Sequence, residues 1–426
     1  MSAPMPAPTP TNTPSMLRPL SGFERLFLAF DKMNGFNFGI AVCFSGTIGE
    51  VHWKNAFEEL RKRHPLLNAG IDESDPHAPC FISGAGLPIP LVFQHRNSSV
   101  EWQRVMESDI AEPFDLARGP LLRATVLQDE KRCDLVITAN HVVIDGIGVI
   151  ALVRDLLRAL AGETFTAGPI PPSAEERAAE VRKVNPMLAK VGNPAGEPQP
   201  RNRTYTSRNR KGKPSISALR LSQEQTAQLL RYARREQTTV GAVVSAAAAS
   251  ALRRLSPQLK EADIRLTTAM DVRPYLANED DFVLSINSPR AIVPYPDLKL
   301  GASARAIKAQ IAPFQSFSSI AATFERVDAT VAQGLDAGVL VNAMAQGFGH
   351  DLGVSNLRTV AFPSMVNGLA IESIWGPSVL VGYEGEHFIG VATFASALHL
   401  TYSSFMPLPG LLDELHNTIS IACGDE

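Results

Sequence analysis

The chain has 426 residues, 45% hydrophobic and 19% charged, with a formal net charge of −3. This is the composition of an ordinary globular protein, long for one domain and comfortable for two, and it offers no electrostatic reason to expect nucleic acid or an anionic membrane as partner. Four cysteines without short paired spacing (Cys43, Cys80, Cys133, Cys423) point away from a zinc site or disulfide framework and towards a reducing, cytoplasmic setting.

Residues 1–16 carry five prolines and no charge, without the basic and apolar regions of a signal peptide, and are expected to form a disordered tail. Ser21-Gly22-Phe23-Glu24 has the form of a capping box and should start a short helix. A strand over Phe36–Phe44 and a helix over Val51–Arg63 follow, the helix placing Trp53, Ala56, Phe57 and Leu60 on one face and stopping at Pro65. The basic trio Arg61–Arg63 reads first as a solvated helix end complementing the dipole. After a helix with Trp102, Val105 and Met106, the string Pro113-Phe-Asp-Leu-Ala-Arg-Gly-Pro-Leu-Leu-Arg123 reads as a turn leading into a strand, Ala124–Leu127. That strand should form a hairpin with the β-branched run that ends at Asn140.

There the chemistry concentrates. His141 and Asp145 fall on a short loop between a buried strand and a helical pattern running from Val149 to Leu160. Gly146 and Gly148 stand where a tight turn needs permissive backbone. His141 is followed by Val142, Val143 and Ile144, and a neutral imidazole in such surroundings can act as a general base. Asp145 could not stay ionised there without a partner. Taken alone, a His-x-x-x-Asp pair is more often a satisfied core histidine and a helix-capping aspartate. The strand before it, Gly146 and the helix after it make the longer string more specific.

Beyond residue 160 the composition shifts. Residues 161–214 hold eight prolines around one short helical pattern, Ala174–Val184, and read as a linker or crossover. Arg201–Lys213 has six basic residues and no acidic one, which is either a solvated linker or a patch that meets an anionic partner. Ser222-Gln-Glu-Gln225 is another capping box, and Thr239 begins an alanine-rich helix to Leu255, too short to span a bilayer; no transmembrane helix is expected. A strand over Asp263–Met270 ends at Asp271-Val-Arg273-Pro-Tyr275. Phe282–Asn287, a helix from about Ala302 to Ala312, and Leu352–Leu357 follow. A hairpin (Phe388–Phe394 with Leu398–Ser404) and a helix with Leu411, Leu412, Leu415 and Ile419 close the chain. This order predicts an α/β fold with mixed sheets rather than a Rossmann succession.

The His141-x-x-x-Asp145-Gly146 string resembles the signature of the CoA-dependent acyltransferase superfamily, which includes chloramphenicol acetyltransferase, nonribosomal-peptide condensation domains and polyketide-associated acyltransferases. The Pro113–Arg123 string and Arg63-His64-Pro-Leu-Leu67 are similar to further motifs of condensation-type enzymes, with Asn68 where those have Arg. The resemblance implies two chloramphenicol-acetyltransferase-like lobes, 17–160 and 215–426 about the 161–214 linker, with the active site in a tunnel between them. It also implies His141 as the catalytic base, with Asp145 and Gly146 as structural residues. Arg273, with Arg290 as runner-up, would pair with Asp145, and Asn140, Ser355 and Asn356 would contact substrate. No metal and no permanently bound cofactor are implied; acyl-CoA or a phosphopantetheine thioester on an acyl carrier protein would be co-substrate. The acceptor would be a small molecule or lipid, and the enzyme a monomer. Peptide-forming relatives carry two consecutive histidines, and Asn140 in place of the first favours transfer to a hydroxyl over an amine. The plant subgroup's Asp-Phe-Gly-Trp-Gly has only a faint echo in Ile374-Trp-Gly-Pro377. A non-catalytic scaffold that binds a carrier protein, or a thioester hydrolase, would keep the same motifs.

Overall fold

The computed structural model describes residues 14–185, 213–276, 282–383 and 385–424. The first half runs β1 (Met16–Pro19), α1 (Gly22–Asn34), β2 (Asn37–Ser45), α2 (Glu50–Arg63), β3 (Ala69–Asp72), β4 (Cys80–Ser83) and β5 (Leu91–His95). It continues through α3 (Glu101–Ala111), β6 (Leu122–Gln128), β7 (Arg132–Asn140), α4 (Gly146–Leu160) and α5 (Ala174–Val184). Ser21 and Glu24 form the expected capping box on α1, and Glu24 also takes a bidentate pair from Arg18 at 2.6 and 2.7 Å, which ties β1 to the helix. The expected tail therefore gives way to structure earlier than residue 16. Ser15 bonds Ser83, and β1 pairs with β4 in a three-stranded sheet of order β1-β4-β3, because the open edge of β4 offers backbone partners.

The second half holds β8 (Ser215–Arg220), α6 (Gln223–Arg235), α7 (Val240–Leu255), β9 (Ile264–Asp271), β10 (Ile286–Asn287), β11 (Arg290–Val293) and α8 (Leu300–Ile311). After these come α9 (Phe317–Val331), α10 (Ala337–Phe348), β12 (Leu352–Thr359), β13 (Met365–Val366), β14 (Leu369–Val379), β15 (His387–Phe394), β16 (Ala397–Ser404) and α11 (Leu411–Gly424). Ser222 and Gln225 cap α6 as expected. Of the stretch Phe282–Asn287, only Ile286–Asn287 is strand. Residues 277–281, which precede it, lie outside the described part.

Two mixed sheets organise these elements. One has the order β13-β14-β2-β7-β6-β5; the other runs β10-β9-β12-β15-β16-β8, with β11 also on β9. The hairpin of β6 with β7 and that of β15 with β16 form in the expected places, whereas β12 runs parallel to both β9 and β15. Alternation along β2 sends Ile40, Val42 and Phe44 into the main core, while Gly39 faces α3 so closely that a Cβ would stand 2.5 Å from Met106 Cγ. The alanines of α7, Ala246–Ala249, are all buried in the second core, where small side chains let neighbouring helices approach.

A division of the chain at residue 215 does not divide the sheets. β14 leaves the second half to pair antiparallel with β2, Ile374 opposite Val42, and Ile320, Phe324 and Val341 of α9 and α10 join the core of the first half. The segment after Leu160 packs on the fold as far as residue 185, with the expected helix over Ala174–Val184 in place as α5. Phe165 lies against the Arg63 and Arg158 guanidinium groups, and Glu175 of α5 accepts a hydrogen bond from the Phe23 backbone at 2.9 Å.

Candidate active site

β7 ends at Asn140, and its last residues are held from both sides. The Asn140 backbone N–H donates to the Leu121 carbonyl at 2.9 Å, and that of His141 donates to the Phe36 carbonyl at 2.8 Å. The helix that follows begins at Gly146, so the loop carrying His141 and Asp145 is only 141–145. Gly146 and Gly148 are not the permissive hinges expected, since neither adopts a positive φ. Their role is space. A Cβ on Gly146 would stand 3.0 Å from the tip of Leu357, and one on Gly148 would stand 2.6 Å from Ile144 Cγ1 and 3.4 Å from an Arg273 nitrogen. The first turn of α4 can thus lie directly against the second half of the chain.

His141 is 7% exposed and ringed by Phe27, Phe36 and Phe38, with centroids 4.6 to 5.0 Å away. Its Nδ1 lies 3.0 Å from the Ile144 carbonyl, which can only accept, so the proton sits on Nδ1 and Nε2 carries the lone pair. Burial pulls the imidazole down to about 4, against the opposing pull of the Asp145 charge, and the ring is neutral at pH 7.

Asp145 caps α4 through Oδ1, which accepts from Gly148 N–H at 2.8 Å. Its other oxygen accepts from Arg273 Nη1 at 3.0 Å and from Ser285 N–H at 2.7 Å. Arg273 comes from the end of β9, is 2% exposed, and also bonds Asp271 at 3.2 Å and the Val283 carbonyl at 2.8 Å. Burial works against its charge, but Asp145 and Asp271 more than offset that and hold the guanidinium above its ordinary range. Arg290 pairs with Thr267 within the sheet, on β11, so the partner of Asp145 is Arg273.

The loop that carries His141 and Asp145 borders a cavity of about 400 Å³ that runs between the two sheets. His141, Asp145 and Gly146 line it from the loop, Ser355 and Asn356 from β12. Asn356 Oδ1 accepts from Arg358 N–H at 2.8 Å, and a Cβ on Gly241 would stand 3.4 Å from its Nδ2. Lys308, Asp271 and Arg358 give the lining charged groups, while Leu26, Phe27 and Phe30 of α1 give it an apolar wall.

Asn140 is the exception among the expected contact residues. It is fully buried: its Nδ2 donates to Asp31 at 2.7 Å and Asn37 at 3.1 Å, and its Oδ1 accepts from Val142 N–H at 3.1 Å. With donor and acceptor both taken up by the protein, it braces the loop and does not line the cavity. Pro377 and His350 also line the cavity, where the sequence alone does not place them. Pro377 belongs to the faint Trp-Gly-Pro echo, and its ring lies 3.6 Å from where a Gly146 Cβ would stand. Of the basic stretch Arg201–Lys213, residues 201–212 lie outside the described part; Lys213 bonds Ser108 on α3 at 2.8 Å. Among the described residues no cluster of three or more His, Cys, Asp or Glu could hold a metal ion, and no helix is long and apolar enough to cross a membrane.

A buried imidazole on a strand-end loop, braced by an arginine from the other half of the chain, is set between two mixed sheets. The fold is that of condensation domains, and the sequence string around the imidazole is similar to the one that the CoA-dependent acyltransferase superfamily shares. A condensation-domain family model matches residues 26–178, and a model described as the phthiocerol/phthiodiolone dimycocerosyl transferase C-terminus matches 210–277. Bacitracin synthase 2 of Bacillus licheniformis is 24% identical over 173 residues, 39% of this chain. The chain spans only 2% to 6% of the length of such curated relatives. Among solved structures, polyketide synthase associated protein 5 from Mycobacterium tuberculosis superposes with a TM-score of 0.64 at 19% identity, covering 96% of this chain and 98% of that one. The wax ester synthase/diacylglycerol acyltransferase of Marinobacter aquaeolei VT8 does so with a TM-score of 0.61 at 16% identity, covering 95% and 100%.

Proposed function

We propose that the protein transfers an acyl group from a thioester, carried by CoA or an acyl carrier protein, to a hydroxyl of a small-molecule or lipid acceptor. The observation that carries this reading is the tautomer of His141: with Nδ1–H committed to Ile144, Nε2 is the nitrogen with a lone pair, in an imidazole that burial keeps neutral. Nε2 removes the acceptor's proton as its oxygen attacks the thioester carbonyl. Collapse of the tetrahedral adduct breaks the carbon–sulfur bond, and the imidazolium returns the proton to the departing thiol. No acyl-enzyme is required. The nearby Asp145 charge stabilises the imidazolium that forms transiently, and its pairing with Arg273 keeps the loop from shifting.

Two features support a hydroxyl acceptor. The loop presents one imidazole, since Asn140 replaces the other and is engaged within the protein. One structural neighbour is by name a wax ester synthase. Lys308 and Arg358 on the lining suit the phosphates that both kinds of donor carry. The test is intact-mass analysis of an alcohol and amine library incubated with several acyl-CoAs and acylated carrier proteins. An ester product that requires His141 supports the proposal; hydrolysis alone, or amide products alone, overturns it.

A further inference from the structure

One carboxylate oxygen stands behind the His141 loop, and the acyl-transfer chemistry does not call on it. Asp31 lies in the last turn of α1, one residue after Phe30 of the cavity wall. The helix stops at Gly35, whose φ of +72° turns the chain back over that turn, with its N–H on the Asp31 carbonyl at 2.7 Å. The reversal brings the Phe36 N–H onto Asp31 Oδ1 at 2.7 Å. The same oxygen accepts from Asn140 Nδ2, also at 2.7 Å. Phe36 and Asn140 are both buried, so their donors need this acceptor.

That oxygen joins α1, β2 and β7 around the imidazole. Phe36 passes the hold on: its carbonyl accepts from the His141 N–H at 2.8 Å, and its ring lies 4.9 Å from the imidazole. Asn140 immediately precedes His141, and its Oδ1 accepts at 3.1 Å from the N–H of Val142, which immediately follows. His141 is therefore gripped through its own backbone and through both neighbours, and each grip leads back to Asp31. From α1 itself, the Phe27 ring meets the imidazole at 5.0 Å and Phe36 at 4.9 Å. The cavity wall and the imidazole share one anchor. The charge that acts on the imidazole is that of Asp145, so what Asp31 supplies is the place of an oxygen and not a field.

We propose that Asp31 is a positioning residue for His141, fixing the start of β2 and the end of β7 against α1 through Oδ1, so that the imidazole keeps its distance from a substrate lying along the α1 wall. The inference rests on the acyl-transfer reading for its effect on rate, but the placement of the imidazole is measurable without turnover. Three variants separate position from charge. Asp31→Asn keeps an oxygen in the same place and gives up the charge. Asp31→Glu keeps the charge and carries the oxygen one methylene further. Asp31→Ala gives up both.

The test follows the His141 Cε1–H of the full chain by NMR from pH 8 down to pH 5, its signal assigned by its loss in His141→Asn. Single-turnover ester formation and calorimetric binding of the donor are measured on the same variants. The unmodified His141 should keep its neutral signal throughout, since its proton arrives only near 4. In Asp31→Ala and Asp31→Glu the displaced loop admits water, and the midpoint should climb into the window, towards the ordinary value of about 6.5. The single-turnover rate should fall roughly ten- to a hundredfold, the cost of a base misplaced by about 1 Å, with donor Kd little changed. Asp31→Asn should keep the neutral signal and most of the rate. If Asp31→Ala does not fold, the contrast between Asn and Glu carries the same test. A neutral signal that persists to pH 5 in folded Asp31→Glu overturns the proposal, and so does an Asp31→Asn that behaves like Asp31→Glu. If the midpoints move as expected while ester formation is absent or indifferent to them, the acyl-transfer reading fails and the positioning stands.

Discussion

Removing the charge of Asp145 tests how the two halves of the chain are joined at the site. The carboxylate is 1% exposed and takes three hydrogen bonds, from Gly148 N–H at 2.8 Å, Ser285 N–H at 2.7 Å and Arg273 at 3.0 Å. Breaking a buried pair by deleting one partner costs roughly 3–5 kcal/mol. Asp145→Asn should fall below that, at about 2–3 kcal/mol, because an oxygen remains for the helix cap and Arg273 keeps Asp271 at 3.2 Å and the Val283 carbonyl at 2.8 Å. Arg273→Met strips the carboxylate of its counter-charge and leaves it two backbone donors, for an expected loss of about 3–4 kcal/mol. The double variant leaves neither charge of this pair behind, so a double-mutant cycle by urea unfolding should return a coupling of roughly 1.5–3 kcal/mol. Losses that add within about 0.5 kcal/mol would refute the reasoning.

Other perturbations separate the parts of the loop. Gly148→Ala forces a methyl towards the buried, stiff Ile144 side chain, 2.6 Å away, and should destabilise by roughly 1–3 kcal/mol in thermal unfolding. Asn140→Ala leaves Asp31, Asn37 and the Val142 N–H short of partners; a loss of roughly 1–3 kcal/mol with the donor KM unchanged would distinguish bracing from substrate contact. His141 has its folded value, about 4, below the unfolded value, so the unfolded chain takes up the proton first as pH falls. The corresponding stability is fully present above about pH 6.5 and lost as pH falls to about 4, up to roughly 3 kcal/mol. His141→Asn should therefore flatten the pH dependence of the urea midpoint across that window. The same depression predicts that kcat/KM stays level from about pH 8 down to about pH 5, with no acid limb near the ordinary histidine value.

What could be read from the sequence follows from which interactions are local. The capping boxes at Ser21 and Ser222 are four-residue signals, and both form. The strand, loop and helix around His141 are contiguous in sequence, and so is their geometry. Arg273 is reached only through the family motif, since nothing local links it to a carboxylate 128 residues away. The course of β14 is not legible because alternation tells a strand's faces but not its sheet, and only the pairing with β2 reveals the exchange. The glycines depart from expectation for a related reason: Leu357 and Ile144 crowd Gly146 and Gly148 in space, and sequence shows only the turn. α9 does carry a local signal, with Ser316 at its N-cap and Ile320, Phe324, Val327 and Val331 at helical spacing. His350 sits in a stretch without motif, and its pairing with Glu386 across 36 residues has no sequence signal.

The central claim is that His141 Nε2 moves the proton during acyl transfer. The most direct measurement compares the single-turnover rate of ester formation in the unmodified protein with that in His141→Ala, using a donor and alcohol that the product screen shows to react. Circular dichroism and urea unfolding above pH 7 serve to confirm that the variant is folded. The account predicts a rate lower by roughly two to four orders of magnitude, the worth of a positioned general base, with donor binding little changed. A folded His141→Ala that forms ester at close to the original rate would contradict it.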